Sequence, residues 1–331
     1  MTNLIYPLLF QPVYKDYLWG GNRIQKKYGR KIPPGTYAES WEISDRPEGM
    51  SVVTNGRFAG RSLGSLVTEF GARLVGDDFA GRRFPLLIKL IDARLRLSVQ
   101  VQPSDANAAA VKGEPKTEMW YVLDACAGAR AFVGLKKAVT GKSFDLAVRT
   151  GCLASMLKPV KMETDSAILV PGGTVHSIGE GLLILEVQQN SNTTFRVYDW
   201  GRVGQDGKAR PLHVAEAKKS IIWAGRSPVR ARLRVTARAG RNIVREVLAC
   251  RHFRMERLDL AEPFSGANDG RSFHAFFVAD GAAIIRAGRS AVTVKTGTSC
   301  LVPASVSKYT IAPLDATVRM LRITPGRVVG R

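Results

Sequence analysis

Short runs in which apolar and polar residues alternate dominate the chain, and runs of this length predict β-strands. AILV (167–170), LLILEVQQ (182–189), TFRVYDW (194–200), FFVAD (276–280) and AIIRA (283–287) are β-branched or alternating, with Gly, Pro or Asp-Gly turns between them. This pattern predicts a sandwich or barrel rather than a βαβ array. Helical spacing occurs in only three places. In RSLGSLVTEFGARL, Leu63, Leu66, Val67 and Phe70 fall on one face; in SFDLAVRTGCLASMLKP, Ser143 is placed to cap and Pro159 to stop the run; HVAEAKKSIIWAG (213–225) ends at a glycine. These read as helical additions to a β scaffold.

A chain of 331 residues, 45% of them hydrophobic, can bury two moderate cores. A boundary is expected after Gly225, where an arginine-rich stretch begins at Ser227-Pro228. Residues 226–331 then read as a smaller all-β unit, through VREVLAC, FRMERLDL, FHAFFVAD, GAAIIRA, SAVTVKTG, SCLVP, YTIA and VRMLRIT. No run reaches the ~18 apolar residues of a membrane span, and the first residues lack a basic leader. The chain therefore reads as soluble and cytoplasmic, with no membrane partner. Its four cysteines are far apart, with no CxxC pair, which predicts reduced core thiols rather than a disulfide framework or a zinc finger.

Charge changes the picture more. With 49 Lys and Arg against 28 Asp and Glu, the formal net charge is +21, which suits an anionic partner. The basic residues are scattered, as in GRR (81–83), RLR (94–96) and RSPVRARLRVTARAGR (226–241), without a helical basic stripe. Scattering of this kind points to an arginine-rich solvated surface and a phosphorylated small molecule ahead of nucleic acid.

Candidate chemistry gathers in three stretches. In DSAILVPGGTVH, a strand runs into Pro171-Gly172-Gly173, a tight turn at which the chain is expected to reverse, as in a hairpin, and deliver His176 at the start of the next strand. In SVQVQPSD (98–105), alternation puts Gln100 and Gln102 on one face, and in KTEMWYV (116–122) it does the same for Lys116 and Glu118. If these strands line one barrel, two amide oxygens, a carboxylate and an imidazole converge on a cation. The plainer alternatives are glutamines bonded to backbone, a Lys116–Glu118 surface pair and an ordinary half-buried histidine.

The motifs LWGG (18–21), ESWEIS (39–44), RFPLLIKLIDA (83–93), SVQVQPSD, KTEMWYV, VPGGTVHSI (170–178) and LEVQQNSNTTFRVYDWGR (185–202), followed by Leu212-His213, occur in order along nearly the whole chain. Together they resemble the short bacterial type I mannose-6-phosphate isomerases, which are zinc-dependent cupins. The resemblance implies a mainly β fold: a cupin (double-stranded β-helix, or jelly-roll) catalytic domain with a few added helices over 1–225, and a smaller cupin-like domain over 226–331. It implies that Gln100, Glu118 and His176 are metal ligands, that Lys89 and Ser98 lie near the substrate phosphate, that Lys116 neighbours the metal, and that Arg196 is the active-site arginine. The implied reaction interconverts mannose 6-phosphate and fructose 6-phosphate through a cis-enediol. The proton carrier is open among Glu186, His176 and a metal-held water.

One position departs from the family. Gln102 stands where the family has a histidine ligand, and an amide oxygen is a weaker donor to zinc than an imidazole nitrogen. The site then holds Zn2+ less tightly, prefers a harder ion such as Mn2+, or has lost metal and catalysis together. The alternative reading is thus a metal-poor, inactive cupin that binds sugar phosphates. Oligomeric state has no signature in the sequence.

Overall fold

The computed structural model describes residues 6–33, 35–137, 139–204, 207–223 and 229–326. The chain forms two compact units: Tyr14–Ser40 with Lys89–Ala231, and Met1–Val13 with Trp41–Ile88 and Arg232–Arg331. The expected cut after Gly225 falls outside the described residues. A single cut also does not reproduce this partition, because early strands complete the later unit: Leu8–Gln11 pairs antiparallel with Ser299–Val302, placing Leu8 opposite Leu301.

The unit containing residues 89–231 is built on two antiparallel sheets. The seven-stranded one runs Val229–Arg230, Ala167–Val170, Glu118–Ala125, Leu182–Gln189, Leu86–Ala93, Glu39–Ile43, Val13–Lys15; the five-stranded one runs Phe195–Tyr198, Val99–Val101, His176–Ile178, Arg130–Leu135, Leu157–Lys161. Ile91, Trp120, Ile168 and Ile184 from the first sheet and Val133, Val160 and Ile178 from the second share one buried cluster. On the other face of the five-stranded sheet, Val99, Val101, Phe195 and Val197 pack with Phe144, Ala147 and Ala217 of two added helices and with Ile221 just beyond the second. Strand alternation then decides the site. With Val99 and Val101 turned to the helices, Ser98, Gln100 and Gln102 must face between the sheets.

Two of the three helices differ from expectation. Gly141–Arg149 is capped by Thr140, not Ser143: the Thr140 hydroxyl accepts from the Ser143 amide, while Ser143 Oγ accepts from the Thr140 amide, forming a capping box. Pro159 does not stop that helix but sits in Leu157–Lys161, an edge strand, where a missing N–H is tolerated. Val214–Ser220 ends well before Gly225, which is outside the described residues. Leu63–Phe70 follows the spacing, with Ser62 as cap and Leu63, Leu66, Val67 and Phe70 buried.

The chain does not form a hairpin at Pro171-Gly172-Gly173. It crosses there from the seven-stranded sheet, where Val170 lies opposite Glu118, to the five-stranded sheet, where His176 lies opposite Gln100. Both glycines are required by space. A Cβ on Gly172 would lie 2.6 Å from the Pro103 carbonyl oxygen, and Gly173, at φ +86°, would meet Ile222 at 2.6 Å.

The other unit pairs an eight-stranded with a four-stranded sheet over Leu258, Leu260, Phe276, Val278, Ile285, Ile311 and Met320. All eight runs expected there are strands. The arginine-rich stretch adds one the alternation did not show: Arg234–Ala239, an edge strand with all six residues exposed. Of the four cysteines, all free, only Cys300 is a core residue; Cys126 and Cys152 are exposed.

A polar group interrupts this second core. His274 Nδ1 and the Tyr309 hydroxyl are 2.8 Å apart, the Arg322 guanidinium also bonds Tyr309, and Arg322 pairs with Glu256 at 2.7 Å. Burial, seconded by Arg322, lowers the His274 pKa to about 4. Between pH ~6.5, where an unfolded histidine titrates, and about 4, the unfolded chain takes a proton that the folded one refuses. Unfolding free energy should therefore rise with pH across this window. Denaturant titrations of wild type and His274→Gln from pH 4 to 7 check this: the variant should show a shallower rise, and an identical slope would place the histidine's titration elsewhere.

Candidate functional site

Inward-facing positions that are apolar toward one end of the first unit become polar toward the other. Strand alternation brings Lys89, Ser98, Gln100, Gln102, Glu118, His176, Glu186 and Arg196 to the same interior. His176 is fully buried and is the hub. Its Nε2 lies 3.4 Å from Gln100 Nε2, 3.3 Å from Gln102 Nε2 and 3.5 Å from Glu118 Oε1. Its Nδ1 donates to the Thr174 carbonyl at 2.8 Å, which leaves the Nε2 lone pair facing the other three groups. Burial, the largest influence, lowers its pKa to about 4, so the imidazole is neutral at pH 7.

Glu118 is equally buried. Its Oε2 accepts from Trp120 Nε1 at 2.9 Å, but Oε1 has no hydrogen bond and sits 3.7 Å from Lys116 Nζ. Lys116 and Glu118 are thus an interior pair, not the surface pair that the sequence left open. Burial and then the charge of Glu186 push the Glu118 pKa well above the usual carboxylate range.

The Trp120 indole N–H is shared, reaching Glu186 Oε1 at 3.1 Å as well. Glu186 behaves oppositely to Glu118: burial would raise its pKa, but Lys89 and then Lys116 outweigh it and hold the value at about 2. Lys89 Nζ lies 3.4 Å from Glu186 Oε2 and 3.5 Å from Glu39 Oε2, and these two carboxylates, Glu39 first, raise its pKa against the effect of burial.

A fit to a divalent ion can be tested on the donors themselves. Four ligands at about 2.0–2.1 Å around a tetrahedral ion stand roughly 3.3–3.4 Å from one another. The three distances from His176 Nε2 span 3.3 to 3.5 Å, and the one carboxylate oxygen among these atoms is buried without a hydrogen bond. As placed, the glutamines turn their NH2 groups to the imidazole, but a half-turn about the last bond of an amide exchanges NH2 for carbonyl oxygen. Ser98 Oγ, which now donates to Gln100 Oε1 at 3.3 Å, can accept from the NH2 after that turn. The residues therefore fit a cation. Among the described residues no three His, Cys, Asp or Glu gather to hold a metal, so the amides are indispensable to this set.

Beside these donors lies a cavity of about 270 Å³, whose wall includes Lys89, Ser98, Gln100, Lys116, Glu186 and Arg196. Gln102, Glu118 and His176 lie behind this wall. Four cationic side chains (Lys89, Lys116, Arg196, Arg210) face two carboxylates (Glu39, Glu186) across it, an excess of two positive charges. Arg196 Nη1 donates to the Pro211 carbonyl at 2.9 Å, while its Nε is buried without a partner.

Sequence reasoning passed over Tyr17, Glu39, Asn192, Thr194 and Arg210, all on the cavity wall, and the bridging role of Trp120. Trp120 was recoverable, since it shares a strand face with Glu118. Trp19 reads as a core aromatic and is one, at 3% exposure, but it also lines the cavity. His213 takes the helix N-cap position without a side-chain cap bond; its Nδ1 accepts from the Arg196 amide at 3.3 Å. His252 lies in the bend just before the strand Phe253–Leu260.

Facing β-sheets with imidazole, carboxylate and amide donors gathered inside them define a cupin. The family model for the catalytic domain of type I phosphomannose isomerase matches residues 8–125, and that for the cupin domain of mannose-6-phosphate isomerase matches residues 244–324. The mannose-6-phosphate isomerase ManA of Bacillus subtilis is 42% identical over 217 residues, covering 65% of this chain and 67% of that protein. A second Bacillus subtilis relative, YvyI, is 31% identical over 308 residues, 92% of this chain and 95% of its own. The crystal structure of the Bacillus subtilis mannose 6-phosphate isomerase superposes with a TM-score of 0.88 at 29% identity, covering 97% of this chain and 99% of that one. The chain belongs to the type I phosphomannose isomerase family. Among the described residues no helix is long and apolar enough to cross a membrane.

Proposed function

We propose that the protein is an active aldose–ketose isomerase that interconverts mannose 6-phosphate and fructose 6-phosphate with a divalent ion held by Gln100, Gln102, Glu118 and His176. The observation that carries this reading is Glu118 Oε1, a buried carboxylate oxygen without a hydrogen bond, 3.5 Å from an imidazole nitrogen whose lone pair faces it. Burying such an oxygen costs about 1–3 kcal/mol or more unless something answers it. Lys116 Nζ, 3.7 Å away, is too distant to hydrogen-bond it, whereas a divalent ion held by the four donors would answer it directly. The ion would act as a Lewis acid toward the sugar's carbonyl oxygen; Zn2+ is the family's choice, and three oxygens with one nitrogen also suit Mn2+.

The chain's own residues supply the rest. Cations outnumber carboxylates on the cavity wall itself, which suits a phosphate group. Ser98 offers a hydroxyl there, whereas Lys89 is already answered by Glu39 and Glu186. Arg210 is likewise held by Asp199 through two hydrogen bonds of 2.7 Å, and Lys116 pairs with Glu118, so Arg196 is the cation better placed to hold phosphate or to offset charge developing on the enediol oxygens. His176 is committed at both ring nitrogens and is not the proton carrier. Glu186, on the cavity wall, and a metal-held water are then the two routes for moving the C2 proton to C1 through the cis-enediol, and a pKa of about 2 makes Glu186 a weak base.

Metal content and turnover, measured together on wild type and Gln102→His, test the proposal. Wild type should purify with, or take up, one divalent ion per chain and should turn over mannose 6-phosphate. The substitution should tighten metal binding by about 10–100-fold. Unchanged affinity would put Gln102 outside the ligand set, and a metal-supplemented wild type without turnover would overturn the isomerase reading.

A further inference from the structure

A second cavity, of about 410 Å³, opens at the surface of the other unit, where Ala249, Ala267, Asp269 and Arg271 on its wall are exposed. It lies on the inner faces of the strands that build the apolar core. Arg254 and Glu256 share a face with the core residues Leu258 and Leu260, Arg322 with Met320 and Val318, and His274 with Phe276 and Val278. The interior of this unit is therefore apolar at one end and becomes a polar chamber at the other.

The chemistry of the chamber differs from that of the first cavity. Three guanidinium groups line it (Arg254, Arg271, Arg322), and so do three carboxylates (Asp78, Glu256, Asp269), so their charges cancel. Arg322 is paired with Glu256 at 2.7 Å and Arg271 with Asp78 at 3.2 Å. Arg254 pairs with Glu246 at 3.0 Å through its terminal nitrogen, while its Nε is buried without a hydrogen-bond partner. A guanidinium only donates, so the Tyr309 hydroxyl accepts from Arg322 and gives its own hydrogen to His274 Nδ1. The imidazole hydrogen then sits on Nε2, leaving a donor at the chamber wall.

We propose that this chamber binds a neutral, unphosphorylated hexose or hexitol. An anion would have three carboxylates to face and no net positive charge to neutralise it. An apolar ligand would strip water from the ion pairs without replacing it. Hydroxyl groups both donate and accept, so a ring of them satisfies guanidinium, imidazole and carboxylate groups side by side. The site is independent of the isomerase chemistry, which lies in the other unit.

Saturation-transfer difference NMR on the full chain, titrated with D-mannose, D-glucose and D-mannitol, tests this. At least one probe should bind saturably, with binding retained in Arg196→Ala and weakened at least about tenfold in Arg254→Ala, equivalent to ~1.4 kcal/mol. Arg254 is partly exposed, and a thermal melt will report whether its removal disturbs the fold. If it does, Arg254→Lys keeps the charge beside Glu246, lacks the planar guanidinium fork and should show the same weakening. The proposal fails if none of the three probes binds saturably, if binding survives both Arg254 variants, if it disappears in Arg196→Ala, or if inorganic phosphate binds the chamber more tightly than the sugars do.

Discussion

Glu118→Ala protein is expected to show turnover of mannose 6-phosphate reduced on the order of 10³-fold or more, together with loss of its divalent ion. Glu118 supplies the only carboxylate among the three groups around His176 Nε2. Without it the set is one imidazole and two neutral amides, too little charge to hold a dication against water. The folded chain should survive, because the change also removes a carboxylate that is itself strained by burial and by Glu186. Metal analysis separates this from Arg196→Ala, which should lose about 10²–10³-fold in rate yet keep its metal in full. Full metal occupancy in Glu118→Ala would remove Glu118 from the ligand set.

The second large effect is on stability. Lys89 is 4% exposed and lies within 3.5 Å of two carboxylates, Glu39 and Glu186. Lys89→Met leaves both acids in the interior without their cation. Breaking a buried ionic group from one side typically costs about 3–5 kcal/mol, and urea unfolding at pH 7 should show a loss of that order. The Glu186 pKa, now held at about 2, should climb. Sign follows from linkage: a depressed carboxylate stabilises the fold above its unfolded pKa, and that contribution disappears as pH falls toward 2. The variant should therefore lose stability less steeply on acidification than wild type. If Lys89 serves only to bind phosphate, the variant will raise KM and leave the unfolding curve where it was.

Much of this site was legible because strand alternation is a strong rule. Gln100 with Gln102, and Lys116 with Glu118, share faces in the sequence and share the interior in the fold. His176 begins its strand, as the Pro-Gly-Gly turn predicts. What alternation cannot say is which sheet a strand joins. The turn at 171–173 reads as a hairpin but is a crossing between sheets, because the partners of Val170 and His176 lie far along the chain. Similarly, nothing local marks Leu8–Gln11 as a strand of the later unit; only its pairing with Ser299–Val302 does. Arg234–Ala239 escaped notice because an exposed edge strand has no buried face to impose an apolar rhythm. Glu39 and Arg210 were missed for a different reason: they come to the cavity from separate elements, and proximity of that kind leaves no spacing to read.

The two glutamines give the site a resting arrangement of its own. With their NH2 groups toward His176, the imidazole nitrogen is hydrogen-bonded without a metal, so chelation should leave a folded protein rather than a collapsed one. With the proposed ligand set, loading then requires two amide rotations and an ionised Glu118. A site of this kind can be stripped, stored and recharged, and its activity should track the free metal concentration of its surroundings, as a reversible gauge does.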